Sequence, residues 1–137
     1  MDGDDVLCSN ARNDSLHGYE GDDRLVGGRG DDLMWGDLGA GEFADTYVFH
    51  DGNGNDTIAD FDVDEDVIRF RGDGTLDGFD DLTFTEITTD PDRPWRSFTS
   101  TLVTWGDGEN SIFIQNPFFG RADISPHDLS ADDFIVG

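Results

Sequence analysis

The stretch GYEGDDRLVGGRGDDLMW, residues 18–35, decides how this chain folds. Its halves, GYEGDDRLV (18–26) and GGRGDDLMW (27–35), are two copies of one nine-residue unit. Upstream, SNARNDSLH (9–17) and the truncated MDGDDVLC (1–8) keep the same step. Asp5, Asp14, Asp23 and Asp32 recur at spacing nine, and two residues after each comes Leu7, Leu16, Leu25 or Met34. A fixed short period marks a repeat architecture. Each unit reads as a six-residue turn followed by a three-residue strand with one inward apolar side chain. The unit cannot bury that side chain alone, so neighbours must stack, as in other solenoids. Two nines make one coil of 18 residues, with the loops of Asp5 and Asp23 on one edge and those of Asp14 and Asp32 on the other.

Composition narrows the chemistry. The chain has 137 residues and a formal net charge of -24, with 32 acidic residues against 8 basic ones, all of them Arg. Of the acids, 27 are Asp and 5 are Glu. Asp is the acid of turns and of oxygen-ligand metal sites, because its short side chain stays near the backbone. The 11 Phe and 3 Trp supply a core that a disordered acidic tail would lack. The charge excludes nucleic acid and anionic membrane as direct partners. No apolar run is long enough for membrane insertion, and no N-terminal stretch reads as a cleaved signal peptide. The single cysteine, Cys8, excludes an internal disulfide and a Cys-based zinc site, and reads as a small packing residue.

Stacking the repeats places carboxylates at about the strand spacing of 4.8 Å. Charges that close repel strongly in a partly buried setting. With no Lys in the chain, a cation must come from outside. Carboxylate and carbonyl oxygens from two loops form an all-oxygen cage for a hard cation, and calcium tolerates irregular geometry better than magnesium. The glycines allow positive φ, so that carbonyls turn inward. Asp31, beside Asp32, reads as a solvated turn residue.

GGRGDDLMW and GYEGDDRLV resemble the GGxGxDxUx nonapeptides of RTX proteins, whose repeats form a parallel β-roll with Ca2+ between coils. ADTYVFHDGNGNDTIADFDVDEDVIRF (44–70) is similar to the segment after the roll in many RTX proteins, serralysin-type proteases included. LVTWGDGENSIFIQNP (102–117) and DLSADDFIVG (128–137) look like the terminal cap of the same families. The resemblance implies an all-β chain: a right-handed parallel β-roll over residues 1–60, then a β-rich C-terminal capping and secretion region over 61–137. It implies side-chain ligands for several Ca2+ ions at Asp5, Asp14, Asp23, Asp32, Asp45 and Asp56. It also implies backbone ligands at Gly18, Glu20 and Gly21, at Gly27, Gly28, Arg29 and Gly30, and at Gly36, Leu38 and Gly39. Gly52 and Gly54 belong to the next loop, and Asp60 is a further roll-edge ligand. Two departures stand out. Arg12 replaces a loop glycine, and a four-residue insertion moves the next loop Asp from 41 to 45.

Beyond about residue 60 the period stops, and VIRF, LTFTEI, FTSTLVTW, SIFIQ and DFIV read as short strands. SPHDLSADD reads as a helical turn capped by Ser125 or Ser130. This half is expected to bury Phe61, Phe70, Phe84, Trp105, Phe113, Ile114 and Phe134, with Trp35 as a contact between roll and cap rather than a sugar-stacking platform. DFDVDEDVI (60–68) resembles the start of an EF-hand loop but lacks its central Gly and its Glu at position twelve. No HExxH or GxSxG is present, so the chain does not read as an enzyme. The resemblance implies a calcium-binding module of a secreted, extracellular protein, exported by a type I apparatus and folding on calcium outside the cell. The mid-repeat start suggests an upstream domain of a larger chain, and DDFIVG fits an acidic-then-apolar export signal. The alternative is a calcium-dependent carbohydrate- or surface-binding module, like those of alginate epimerases.

Overall fold

The structure, a computed structural model, describes residues 3–37, 43–50, 52–71, 78–88, 99–106, 108, 110–115 and 129–136. Leu38, Gly39 and Ser125 lie outside these residues. The four repeat units give β1 (Val6–Cys8), β2 (Ser15–Tyr19), β3 (Arg24–Val26) and β4 (Leu33–Asp37). Successive strands go to opposite sheets. β1 pairs with β3 and β2 with β4, in both cases parallel and in a register of 18 residues, as Leu7↔Leu25 and Leu16↔Met34. The nine-residue step therefore builds a two-sheet parallel β-roll.

Both sheets continue past the repeats. β5 (Thr46–His50), β7 (Val67–Arg71) and β11 (Phe134–Val136) extend the first, in the order β1-β3-β5-β7-β11. β6 (Asn55–Ile58), β10 (Asn110–Ile114), β9 (Thr99–Trp105) and β8 (Thr83–Thr88) extend the second. β10 runs parallel to β6 but antiparallel to β9, and β9 antiparallel to β8, so the coil ends in a meander. Two inward columns form the core of the roll. Leu7, Leu25, Tyr47, Ile68 and Phe134 are register partners in one sheet, and Leu16, Met34, Ile58 and Ile114 in the other. Leu25 and Met34 are fully buried, whereas Leu7, on the edge strand β1, is only partly covered.

The C-terminal strands sit where the sequence places them. Phe61, Phe70, Trp105, Ile114 and Phe134 are buried, and Phe84 packs partly buried against them. Phe113 is a correction. Ile112 and Ile114 take the inward positions of β10, so strand alternation turns Phe113 to the outer face, half-buried. Cys8 and Trp35 are two more: both stand exposed on outer faces, not in the packed interior. Ser130 caps a single 3-10 turn, Ala131–Asp133, by accepting from the Asp132 amide at 3.2 Å.

Candidate metal centre

Each long edge of the roll carries a ladder of aspartates. On one edge the amide of Asp5 donates to Oδ1 of Asp23 (2.8 Å), that of Asp23 to Asp45 (2.8 Å), and that of Asp45 to Asp66 (2.9 Å). On the other edge Asp14 donates to Asp32 (2.8 Å) and Asp32 to Asp56 (2.9 Å). Each carboxylate thus ties its own loop to the coil before it, with one oxygen. The four-residue insertion at 36–45 lengthens one step to 22 residues, and two more residues before Asp56 bring the other to 24, yet both ladders stay in line.

The other oxygen of each is the informative one. The Oδ2 atoms of Asp5, Asp23, Asp32, Asp45 and Asp56 are buried and accept no hydrogen bond. Buried carboxylate oxygens without partners are costly, and native structures hold few of them. Three of them, those of Asp23, Asp32 and Asp45, face the glycines ahead of them. A side chain added at Gly27 would place its first carbon 2.5 Å from Oδ2 of Asp32, and Gly18 and Gly36 stand in the same relation to Asp23 and Asp45. In front of Gly18 the carbonyl of Gly36, one coil further on, converges on the same space. A carboxylate oxygen and a carbonyl oxygen from adjacent coils thus meet where only glycine leaves room. That donor set, all oxygen and partly main-chain, fits a hard cation such as Ca2+. Among the described residues no group of three or more His, Cys, Asp or Glu side chains gathers as a metal cluster, so carbonyls must complete any such site.

Electrostatics point the same way. Burial, reinforced by neighbouring carboxylates, pushes Asp45 and Asp56 up to about 7. Burial likewise raises Asp23 and Asp32 above the usual carboxylate range, with Asp5 and Asp14 adding repulsion. A cation between the loops would favour the charged carboxylates and oppose these shifts.

Two carboxylates end the ladder differently. Asp66 rises to about 8 through burial, but its Oδ2 accepts from the Asp62 amide at 2.8 Å, closing a tight turn. Asp60 accepts from the amides of Gly36 (3.0 Å) and Asp37 (2.8 Å) and from the hydroxyl of Tyr47 (2.9 Å). The 60–66 segment is therefore a self-bonded turn, with Asp64 donating to Asp62 at 3.0 Å, and not an open EF-hand-like loop. Sequence reasoning missed Asp66 because its step of 21 residues from Asp45 matches no repeat.

A second ladder was also missed. Oδ1 of Asp4 accepts from the Asp22 amide (3.1 Å), and Asp22 from Ala44 (2.9 Å). On the opposite edge Asn13 accepts from Asp31 (2.9 Å), and Asp31 from Asn55 (3.0 Å). Asp31 is thus exposed but not merely solvated. In the pairs Asp22-Asp23 and Asp31-Asp32 the first carboxylate accepts from the coil ahead and the second from the coil behind. Arg12 also keeps the loop shape, taking φ +107 at the position where Gly21 and Gly30 take +120 and +131. The left-handed region costs a side-chain-bearing residue about 1–2 kcal/mol.

Fold and site together define a parallel β-roll whose coils are laced by carboxylates and face shared voids lined with oxygen. More narrowly, residues 9–43 match the family model of the RTX calcium-binding nonapeptide repeat, in four copies. Among solved structures the chain is similar to the extracellular lipase LipA from Serratia marcescens, at 22% identity and a TM-score of 0.54, over 100% of this chain and 20% of the lipase. It is similar also to the AlgE6R3 subunit from the Azotobacter vinelandii mannuronan C5-epimerase, at 23% identity and a TM-score of 0.52, over 98% of this chain and 78% of that one. At such identities the likeness is one of fold. The chain spans a fifth of the length of the lipase. No curated protein sequence gives a significant match. No helix among the described residues is long and apolar enough to cross a membrane.

Proposed function

We propose that this chain is a calcium-operated folding module of a larger extracellular protein exported by a type I apparatus. The observation that supports it is the set of five buried Oδ2 atoms without hydrogen-bond partners, repeated coil after coil. On this reading Asp5, Asp23 and Asp45 hold ions along one edge and Asp14, Asp32 and Asp56 along the other. Carbonyls of residues 18–21, 27–30, 36–39 and 52–54 complete the cages. Residues 1–60 form the ion-binding roll and 61–137 the cap. Where calcium is submicromolar the stacked carboxylates repel, and the roll stays open for transport. At about 1 mM calcium, a site with a dissociation constant of about 0.1–1 mM adds roughly 0.4–1.4 kcal/mol by mass action. Several sites in one array make folding switch-like. Far-ultraviolet circular dichroism in EDTA and then in millimolar calcium tests this: β-structure is expected to increase with calcium as the roll forms, and an identical spectrum in both would sink the reading.

A second reading, calcium-dependent binding of a carbohydrate, draws on the fold likeness to the epimerase subunit. Calcium would bridge the acidic surface to an acidic polymer. Affinity electrophoresis in an alginate gel at fixed calcium discriminates: retardation supports this reading, and free migration leaves the first alone.

A further inference from the structure

One surface of the roll lies apart from the oxygen-lined voids. On the outer face of the second sheet, His17 and Tyr19 of β2 stand beside Trp35 and Asp37 of β4, in register as His17↔Trp35 and Tyr19↔Asp37. The rings of His17 and Trp35 are nearly parallel, at 8° with centroids 6.0 Å apart. Those of His17 and Tyr19 are also 6.0 Å apart, at 27°. Trp35 is 37% and Tyr19 40% exposed, so the stack stays open to solvent. The four side chains line an open cleft of about 220 Å³.

The backbone supplies an independent observation. Tyr19 adopts φ +84 at the repeat position where Gly28, nine residues on, adopts +92. A bulky residue in the left-handed region is a genuine outlier. Glycine would hold this turn without strain, yet here the turn carries an exposed aromatic ring. Strain of this kind persists where the surrounding structure enforces it, and it clusters at binding sites.

The chemistry of the cleft selects its ligand. Aromatic faces attract cations, and a carboxylate beside them adds to that attraction. No Arg lines the cleft. The chain's net charge of -24 repels anions and concentrates cations at its surface. A metal ion prefers the oxygen-lined loops. A weakly hydrated organic cation, which has no hydrogen-bond donors to satisfy, suits the rings instead. We propose that the His17–Tyr19–Trp35–Asp37 cleft binds a small molecule bearing a quaternary ammonium group. The proposal does not depend on which residues hold calcium, only on the roll being folded.

The test is a titration of the calcium-saturated chain with tetramethylammonium chloride, against sodium chloride at equal ionic strength, followed by proton NMR of the indole and imidazole rings. Saturable shifts at Trp35 and His17 are expected with tetramethylammonium alone. Trp35→Ala and Tyr19→Gly should each weaken binding about tenfold or more. Tyr19→Gly relieves the backbone outlier, so a circular dichroism spectrum matching the parent's shows that lost binding is not lost folding. Shifts no larger than those with sodium chloride overturn the proposal, as does undiminished affinity in Tyr19→Gly. Saturable binding of a neutral oligosaccharide such as cellohexaose, with none of tetramethylammonium, overturns it in favour of a sugar platform. A chain that folds on calcium but ignores tetramethylammonium loses only this inference.

Discussion

The coils and the C-terminal meander belong to the same two sheets but are held by opposite means. In the coils each short strand contributes about one inward side chain, such as Leu25 or Met34, and the layers are laced through carboxylates. In the C-terminal half the core is aromatic. Phe70 meets Trp105 edge-on at 4.9 Å and lies 6.2 Å from Phe134, while Phe79 and Phe84 stand 5.4 and 5.5 Å from Phe134. Such rings bury large areas and gain further from edge-to-face contact. Their cohesion needs no ion. The carboxylate ladders, by contrast, hold buried oxygens without hydrogen bonds, and on the proposed reading these cost free energy until a cation meets them. On the proposed reading, one end of the molecule is a switch and the other a constitutive anchor.

The largest test of this contrast is removal of calcium. In EDTA the amides of β1 to β4 should lose hydrogen-exchange protection, by about 0.4–1.4 kcal/mol for each site that had been filled at about 1 mM calcium. Those of β9 and β10 should lose less. Equal loss in both regions would show one cooperative unit and erase the distinction.

The converse is a cut into the anchor. Phe70, 2% exposed, should cost about 3–5 kcal/mol on replacement by Ala. The loss should be similar in calcium and in EDTA, wherever the C-terminal strands remain folded. Thermal or denaturant melts in the two media check it. A penalty seen only in calcium would mean that the aromatic core forms only once the ions are in place.

The smallest effect is also the most specific, because its sign changes. Asp45→Asn keeps an oxygen to accept the Asp23 amide but removes a buried charge. With calcium absent at pH 8 the variant should melt higher than the parent, and with calcium present lower. Acidity should mimic it. Asp45, Asp56 and Asp66 have native values raised to about 7, 7 and 8. The folded state thus binds more protons than the unfolded one between the ordinary carboxylate range and these values. Metal-free stability should therefore be greatest at acid pH and fall as pH rises through about 7–8. A calcium-free melting temperature that rises over that interval would contradict the buried-carboxylate picture.

Much of this was legible in the sequence, and unevenly so. The spacing of nine placed Asp23, Asp32, Leu25 and Met34 on their edges and in their core, since turn and strand within one unit are local matters. Asp45 and Asp56 fall off that spacing and came from the resemblance to RTX loops; the structure brings both into the ladders. Where contacts join distant segments the reading thinned. β10 meets β6 across 56 residues, and only that register decides that Ile112 and Ile114 point inward and Phe113 does not. Trp35 looked like a cap contact because a large aromatic after a repeat suggests an end to cover. In the roll, strand alternation turns it outward beside His17.

By itself, then, the sequence determined the period, the two-edged roll and the cation chemistry of its loops, because glycine, aspartate and a single apolar residue act within nine residues of one another. Tertiary structure decided the rest. It set which carboxylate oxygen is spent on a neighbouring coil and which is left facing a void, and that Asp31 bonds forward while Asp32 bonds back. It also ended the ladder at Asp66 and gathered His17, Tyr19, Trp35 and Asp37 into one cleft. Each of these depends on how one coil lies on the next, and register between coils is fixed by packing, not by any stretch of chain read alone.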